Sequence, residues 1–389
     1  MYGNAYLQAA MRTRLYDQFA TGQEKYNVEQ DARMGSSITL PFLSVLPIAT
    51  AVISQTADIA PRQFRDSTVV ITPTSRADAI SWSEAVDIQV FTDYGAGRFA
   101  AIGEQQMRSV EWLALSAGLQ GSLVNRAAAR ASLDAGTSGH RLSDAVISEV
   151  DTMLRTLRCP YIMDGNTQMW MAVMHPAVFH DLRVGGNVVS VGLYQDKGII
   201  LNFELGKIGP FKLIVSGDAK VFGAAGADNA SNAATTIAAS LGGTANQALG
   251  TTIEVASASN ISDGDWLTIG TEETGNTFDE NMERVKWVNT SSTTITVVGS
   301  GPNGGLLNDH AVGEAVRNAD SVYPVLYGSP YSLVKLYDSV TGEFGEVVGP
   351  EEGGTVKQFR TLGWKFYGGY GRTRENCLVR GEYATSLEA

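Results

Sequence analysis

The sequence predicts an α+β fold in which one long helix accompanies many strands, with a small all-β domain inserted. Residues 104–131 carry the longest helical period without a proline, with apolar or small side chains at three- and four-residue spacing. Before this helix, and almost everywhere after residue 185, the pattern is that of strands and turns. Residues 223–250 consist mainly of Ala, Gly, Ser, Thr and Asn, which predicts a flexible tether leading into the inserted domain.

The charge balance argues against several classes of protein. The chain has a net charge of -12, and residues 223–320 hold 12 acidic and 3 basic side chains, so we interpret this segment as a separate, solvated unit. No stretch is basic enough for phosphate neutralisation to dominate, which argues against sequence-specific nucleic-acid binding. No apolar run reaches the roughly 18 residues that cross a bilayer, so no membrane association is expected. Cys159 and Cys377 show no metal or redox spacing and are expected to be buried thiols.

The first third of the chain is predicted to contain an arm, a hairpin and the long helix. Residues 1–35 offer little packing surface, so the partner of this arm is expected elsewhere, for example on another subunit. A hairpin is predicted over 66–91, where two strand patterns flank the polar run SRADA. Such a polar hairpin could not stand alone in water and must lie on another surface. Gly95 and Gly97 are expected to break the chain before the helix.

The long helix is predicted to bury one wide apolar stripe. The residues expected in this core are Val110, Trp112, Leu115, Leu119 and Leu123.

The middle of the chain is predicted to be a small α/β region. An amphipathic helix is expected over 145–158, with Ser143 or Asp144 as its cap. Residues 169–174 read MWMAVM, a buried strand by composition, and a short helix is expected to start at Pro176. Two further strands are expected within 199–222.

The inserted segment has its own strand pattern. Residues 251–320 contain five short apolar runs separated by turn residues, which predicts a small β-barrel or sandwich. Strand-like runs of the parent region resume after residue 321.

No arrangement typical of catalysis was found, so the chain is not expected to be an enzyme or to hold a metal or cofactor. His175 and His180 are five apart, a spacing that does not suit a metal site on one helical face. Gly299, Gly301 and Gly304 form a literal GxGxxG, but no helix pattern follows, so a hairpin loop is expected instead of a nucleotide site.

Two charged clusters leave alternatives open. The insert could offer calcium ligands, namely Asp263, Asp265, Asp279, Glu280 and Glu283, but their spacing follows no known loop and favours a solvated acidic face. Arg372, Arg374 and Arg380 have the even spacing of one strand face. Ordinary salt bridging is one interpretation of these arginines, and contact with a neighbouring subunit or enclosed nucleic acid is the other.

Three stretches, together with the order of the parts, resemble a known family. They are VMHP at 173–176 running to DLR at 181–183, ELGKIGPF at 204–211, and TLGWK at 361–365 running to EYA at 382–384. On these residues the chain resembles the major capsid proteins of tailed double-stranded-DNA bacteriophages, with the Hong Kong phage-type fold, and in particular the coat protein family typified by phage N-four. The resemblance covers 1–222 and 321–389, while the insert departs from a minimal family member.

The resemblance implies that the buried stripe of the long helix lies under the strands of residues 355–386. It also implies a division into parts. These are an N-terminal arm (1–35), an extended hairpin loop with the spine-helix or peripheral domain (36–133), a central or axial domain (134–222), a flexible tether (223–250), an inserted β-barrel or sandwich (251–320), and a return to the axial and peripheral domains (321–389).

The function implied is self-assembly into hexamers and pentamers of an icosahedral shell enclosing phage double-stranded DNA. The insert would be an outer-surface decoration, and portal, scaffold or decoration proteins would be further partners. The chain would be found in the virion, assembled in the host bacterial cytoplasm. The expected assembly contacts are Phe64, Arg65, Val69, Ile71, Trp82, Ile88, Arg372, Arg374 and Arg380. The alternative is a phage or cell-surface binding module, an adhesin with the β insert as its ligand-binding head.

Overall fold

The structure is a computed structural model of the 389-residue chain. It describes residues 15–20, 26–28, 37–43, 48–49, 66–84, 94–164, 167–185, 188–190, 204–222, 235–238, 246–258, 261–270, 281–291, 293–301, 303–317, 321–338, 342–353, 358–373 and 375–388. The described residues of 20–114 and 333–373 form a first compact unit, and those of 15–19, 115–332 and 374–388 form a second.

The described residues include three α-helices and 21 strands. The helices are α1 (Tyr94–Leu119), α2 (Asp144–Thr156) and α3 (Pro176–Val184). The strands are β1 (Tyr26–Val28), β2 (Ile38–Leu43), β3 (Asp66–Ile71), β4 (Thr74–Ser83), β5 (Val124–Asn125), β6 (Ile162–Asp164), β7 (Thr167–Met174), β8 (Val189–Ser190), β9 (Glu204–Ile208), β10 (Phe211–Val215), β11 (Thr235–Thr236), β12 (Thr252–Glu254), β13 (Trp266–Ile269), β14 (Glu283–Ser291), β15 (Thr294–Val298), β16 (Ala315–Arg317), β17 (Tyr323–Gly328), β18 (Leu333–Asp338), β19 (Glu346–Gly353), β20 (Phe359–Arg372) and β21 (Leu378–Tyr383).

The first unit is organised around β20, a strand of 14 residues. It pairs antiparallel with β4, β18 and β19, and β1 joins the other edge of β18 in parallel. Leu362, Trp364 and Phe366 of β20 pack with Ile102 and Val110 of α1 in one apolar cluster. The predicted burial of the long helix under residues 355–386 is therefore confirmed for this part of α1.

The predicted hairpin over 66–91 is wrong in its pairing. β3 pairs with β2, while β4 pairs with β20. Pro73 lies between β3 and β4 and lacks the backbone N–H that a continuing ladder needs. The run SRADA, expected as the turn, lies inside β4, so β2 and β3 form the two-stranded ribbon of this region instead.

The long helix begins and ends about ten residues earlier than predicted. α1 includes both Gly95 and Gly97, and it ends at Leu119 instead of continuing to residue 131. The guanidinium of Arg380 donates to the carbonyl oxygens of Leu119 and Gly121. These bonds satisfy carbonyls that a longer helix would have used, so a contact from the distant β21 marks the helix end.

The second unit contains a mixed sheet in the order β5-β21-β17-β7-β10-β9-β8, with β6 beside β7. The predicted helix over 145–158 is confirmed as α2, and MWMAVM lies in β7, where its six residues are buried. The two strands expected within 199–222 are β9 and β10, joined by a tight turn at which Gly209 has φ +53°. Side chains from both helices and the sheet share one core.

The insert is a closed β-barrel within the second unit. All five predicted strands are present, and a sixth, β11, comes from the segment predicted as a tether. The order β11-β16-β13-β14-β15-β12 is closed by a bridge between Ile237 and Val255. Closure leaves no long open edge, and the interior is apolar, with Trp287 fully buried.

The described parts of the predicted arm have partners in the same chain. β1 pairs with β18, and Phe19 is fully buried, so the expectation of a partner elsewhere is wrong for these residues. The rest of the arm lies outside the described residues. Among the described helices, none is long and apolar enough to span a membrane.

Candidate functional site

Four of the expected assembly contacts lie in the first unit, and two of them, Val69 and Ile71, belong to β3. Ile71 is buried against Val334 and Leu336, and Val69 packs beside it. A Cβ on Gly371 would lie 2.7 Å from Ile71 Cγ1, so this glycine lets β3 approach β20 closely. Ile71 is therefore committed to its own subunit, which corrects its assignment as an assembly contact.

The ribbon still offers an apolar side chain to a partner. Val70, on the opposite face of β3 from Ile71, is 60% exposed. Sequence reasoning missed this residue because both faces of the run STVVIT are apolar or small, so the period alone does not identify the outer face. Trp82 of β4 is half-buried, and the guanidinium carbon of Arg98 lies 4.4 Å from the centre of its ring. Phe64, Arg65 and Ile88 lie outside the described residues.

The three arginines expected on one strand face are separated. Arg372 ends β20 in the first unit, and Arg380 lies in β21 in the second. Arg374 lies outside the described residues. A 3₁₀ turn at Glu375–Cys377 precedes β21, so the even spacing does not reflect a continuous strand. Arg380 is buried, which supports the salt-bridging interpretation for this residue and corrects its assignment as a subunit contact.

Arg380 belongs to a buried ionic cluster around one carboxylate. Glu382 accepts from Arg380 Nε at 2.8 Å, Arg130 Nη2 at 2.6 Å and Arg126 Nη1 at 3.1 Å. Burial raises the pKa of Glu382, but the hydrogen bond and charge of Arg130, with the charge of Arg380, outweigh it, so the net pKa is lowered. The cluster joins β21 to the segment after α1, which makes it structural.

The residues expected in the helix core divide into two groups. Val110, Leu115 and Leu119 are buried, whereas Trp112 and Leu123 are partly buried. From Ile102 to Leu119 the buried positions recur as neighbouring pairs every four residues. At about 100° per residue, this spacing moves the buried stripe by about 40° per step. The two ends of α1 therefore bury different faces.

The motifs considered for chemistry are occupied by structural roles. His175 caps α3 by accepting a hydrogen bond from Ala177 N at 3.1 Å, and burial, with the charge of Arg284, lowers its pKa to about 3. The GxGxxG run is a loop, as expected, but it packs on residues 249–250 instead of joining paired strands. A Cβ on Gly305, beside this run, would lie 2.5 Å from Gly250 O.

The calcium interpretation of the insert receives no support from the described carboxylates. Asp265 accepts from Ser262 N at 2.8 Å in a local turn. Glu283 is bonded to the ring of His310. Asp279 and Glu280 lie outside the described residues. Within the described ranges, no group of three His, Cys, Asp or Glu side chains could hold a metal ion.

The barrel contains an ionic triad that sequence reasoning missed. His310 Nε2 lies 2.8 Å from Glu283 Oε1, and Nδ1 lies 2.7 Å from Glu314 Oε2, with the ring fully buried. Burial lowers the pKa of His310, but the hydrogen bonds and charges of the two carboxylates outweigh it, so the net pKa is raised. Both ring nitrogens face acceptors, so the imidazole is held as the doubly protonated cation. The i, i+4 pair His310 and Glu314 was the only local signal.

Taken together, β2 and β3 as a ribbon, the long helix against β20, and the mixed sheet with its helices constitute the fold of tailed-phage major capsid proteins. A likeness to solved structures shows this fold. The capsid of Ralstonia phage GP4 matches with a TM-score of 0.53 and 12% identity, over 93% of this chain and 87% of that one. The capsid of cyanophage P-SCSP1u matches with a TM-score of 0.49 and 8% identity, over 93% of this chain and 87% of that one. The mature capsid of bacteriophage PhiM1 matches with a TM-score of 0.46 and 11% identity, over 94% of this chain and 86% of that one.

No family model matches the chain, and no curated protein matches it in sequence.

Proposed function

We propose that this chain is a major capsid protein that self-assembles into hexamers and pentamers of an icosahedral shell around phage double-stranded DNA. The observation that carries the proposal is the fold, shared with the GP4 phage capsid over 93% of the chain. Within the proposal the chain has no catalytic role. Its further partners are portal, scaffold or decoration proteins, and it is assembled in the host bacterial cytoplasm to become part of the virion.

The ribbon of β2 and β3 is the proposed overlap with a neighbouring subunit. It pairs only with itself among the described strands, and a two-stranded ribbon is marginal in water unless one face is covered. Ile71 secures one face to β20, while Val70 points away. Repeated contacts of this kind close into rings when the rotation between subunits closes, and obligate interfaces bury on the order of 2,000–5,000 Å². Phe64, Arg65, Trp82 and Ile88 remain proposed assembly contacts, whereas Val69 lies on the same face of β3 as Ile71 and packs within its own subunit.

The barrel is proposed to face outwards as a surface decoration. Most of the net negative charge of the chain lies between residues 223 and 320, and like-charged surfaces keep particles from associating. An acidic chain also suits a container for DNA, because a strongly basic wall would bind the genome and hinder its packaging.

Electron microscopy of the purified, overexpressed chain tests the proposal. Closed shells or six-fold capsomers are expected. A stable monomer at high concentration that binds glycans or cells would overturn it in favour of the adhesin alternative.

A matched pair of variants tests the ribbon. Val70→Asp should abolish shell formation while leaving the thermal unfolding of the monomer unchanged, because the side chain is exposed. Ile71→Asp should instead destabilise the monomer itself, because a buried charge has no partner there. Shells formed at wild-type yield by Val70→Asp would remove the ribbon from the proposed interface.

A further inference from the structure

Two cysteines that are distant in sequence meet in the core of the second unit. Cys159 Sγ lies 3.4 Å from the carbonyl oxygen of Cys377, across a separation of 218 residues. Both side chains are buried and belong to the same apolar core. Next to them, Asn376 Nδ2 donates to the carbonyl oxygen of Leu157 at 2.8 Å. The segment after α2 and the 3₁₀ turn before β21 are thus held side by side.

We propose that Cys159 and Cys377 form a latent disulfide site, which a small-molecule disulfide converts into a covalent link between these two segments. An S–S bond is about 2.0 Å long. Because Cys159 Sγ already lies 3.4 Å from the backbone of Cys377, side-chain rotation and a closing movement would bring the two sulfur atoms together. The site was missed in the sequence because its two members have no local spacing.

The disulfide forms by thiol–disulfide exchange, in which the small-molecule disulfide accepts the two electrons. One cysteine thiolate attacks the small disulfide, which forms a mixed disulfide and releases one small thiol. The second cysteine then attacks the mixed disulfide and releases the other small thiol. In total, two protein thiols lose two protons and two electrons, and the oxidant is reduced to two thiols.

The surroundings of the pair control when the link forms. The hydrogen bond to Cys377, together with burial, raises the pKa of Cys159 far above its usual range. Because the thiolate is the reactive form, the closed site resists oxidation. The link therefore forms when the site opens transiently or while the chain folds, and burial then shields it from reductants. We expect the disulfide to form after the protein has left a reducing cytoplasm. This timing is the one step that rests on the proposed function.

The covalent link should stabilise the chain. It would close a loop across the 218-residue separation, and loops of this length restrict the unfolded ensemble most strongly. The second unit should therefore unfold at a temperature several degrees higher, and reduction should reverse the gain.

The test is a thiol count on the whole chain. The protein is incubated with oxidised glutathione in moderate urea, returned to buffer, denatured and alkylated, and its intact mass is measured. We expect two alkylated cysteines before oxidation and none afterwards, the loss of two hydrogens, no bound glutathione, and a raised Tm that dithiothreitol reverses. Oxidation without urea should be much slower.

Three outcomes would overturn the proposal: two thiols that remain alkylatable, a separate glutathione on each cysteine, or links between chains. Cys159→Ser and Cys377→Ser are the controls, and neither should gain thermal stability on oxidation. If either variant fails to fold, the thiol count of the unmodified chain still decides. Because this count does not depend on assembly, its result is separate from the test of shell formation.

Discussion

Arg284, on β14 of the inserted barrel, forms a buried ion pair with Glu388, which lies beyond β21. The carboxylate of Glu388 also accepts hydrogen bonds from Tyr323 Oη at 2.5 Å and from Ser321 N at 2.9 Å. A second link is made by Lys220 Nζ, which donates to Met282 O at 2.7 Å. The barrel is thus attached to the sheet of the second unit by side-chain contacts as well as by its chain connections.

Arg284→Ala should weaken this attachment. The substitution leaves the Glu388 carboxylate buried without its cation, which costs about 3 kcal/mol in comparable buried pairs. Hydrogen exchange of the amides in residues 386–388 should speed up. Lys286→Ala is the matched control, because Lys286 is exposed on the same strand and should change the free energy of unfolding by less than about 0.5 kcal/mol. Equal effects of the two variants would contradict the anchoring role.

The barrel should lose stability as the pH rises. The net pKa of His310 is raised above 6.5 in the folded state. Its contribution to the free energy of unfolding is therefore fully present below pH 6.5 and is lost as the pH rises through the folded pKa. The amides of Leu307, Asn308 and Ala311 donate to the two carboxylates that hold the ring. As the pH rises above 6.5, their exchange should increase by more than the intrinsic base catalysis predicts.

The control for the His310 prediction uses another histidine. His310→Gln should remove this pH dependence, whereas His180→Gln should keep it, because the side chain of His180 is 48% exposed. Identical pH profiles in wild type and His310→Gln would exclude the triad as the source.

His175 should cause a loss of stability as the pH falls, which is the opposite of the effect of His310. Its pKa is lowered to about 3 in the folded state by burial, with the charge of Arg284. Its contribution to the free energy of unfolding is therefore present above pH 6.5 and is lost as the pH falls from 6.5 towards 3. Urea unfolding of the second unit should show this loss. A free energy of unfolding that stays constant between pH 6.5 and 3 would contradict the prediction. His180→Gln again serves as the control that keeps the wild-type slope.

Glu382→Gln should be strongly destabilising. It removes the one carboxylate that Arg126, Arg130 and Arg380 share, and unbalanced buried charges of this kind cost about 3–5 kcal/mol. Urea unfolding monitors the change. Glu346→Gln is the control, because its pair with Lys365 is solvent-exposed and its loss should be undetectable. A small effect of Glu382→Gln would show that the cluster does not hold β21 in place.

The insert should be removable without loss of the parent fold. Phe222 N donates to Val322 O and Val322 N donates to Phe222 O, both at 2.8 Å, so the two ends of the insertion form an antiparallel pair. Replacing residues 223–321 by Asn-Gly should close this pair as a two-residue hairpin. Circular dichroism should report a folded chain and electron microscopy should show shells. A folded chain that forms no shells would make the barrel an assembly element instead of a decoration.

Local sequence patterns predicted most element types correctly. MWMAVM, the helix after Pro176 and the five strands of the insert each have a period or composition that their own few residues define. The missed sixth strand of the barrel has two residues, both threonines, in a segment rich in Ala and Thr. Only its position between β16 and the closing bridge makes it a strand, so no local signal could have identified it.

Predictions that depended on a distant partner were less successful. The strand patterns within 66–91 were correct, but β4 pairs with β20, which follows almost 300 residues later. The end of α1 is marked by Arg380, whose own even spacing with Arg372 falsely suggested a shared strand.

The sequence by itself determined the α+β class, the long helix, the separate acidic insert and the resemblance to tailed-phage capsid proteins, because periodicity, composition and short motifs are local properties. Only the tertiary structure decided which residues meet: Cys159 with Cys377, Arg284 with Glu388, and His310 with Glu283 and Glu314. Apart from the short step from His310 to Glu314, these contacts join parts of the chain that are distant in sequence. They depend on chain topology and on the cost of burying an unpaired polar group, neither of which leaves a repeat or spacing to read.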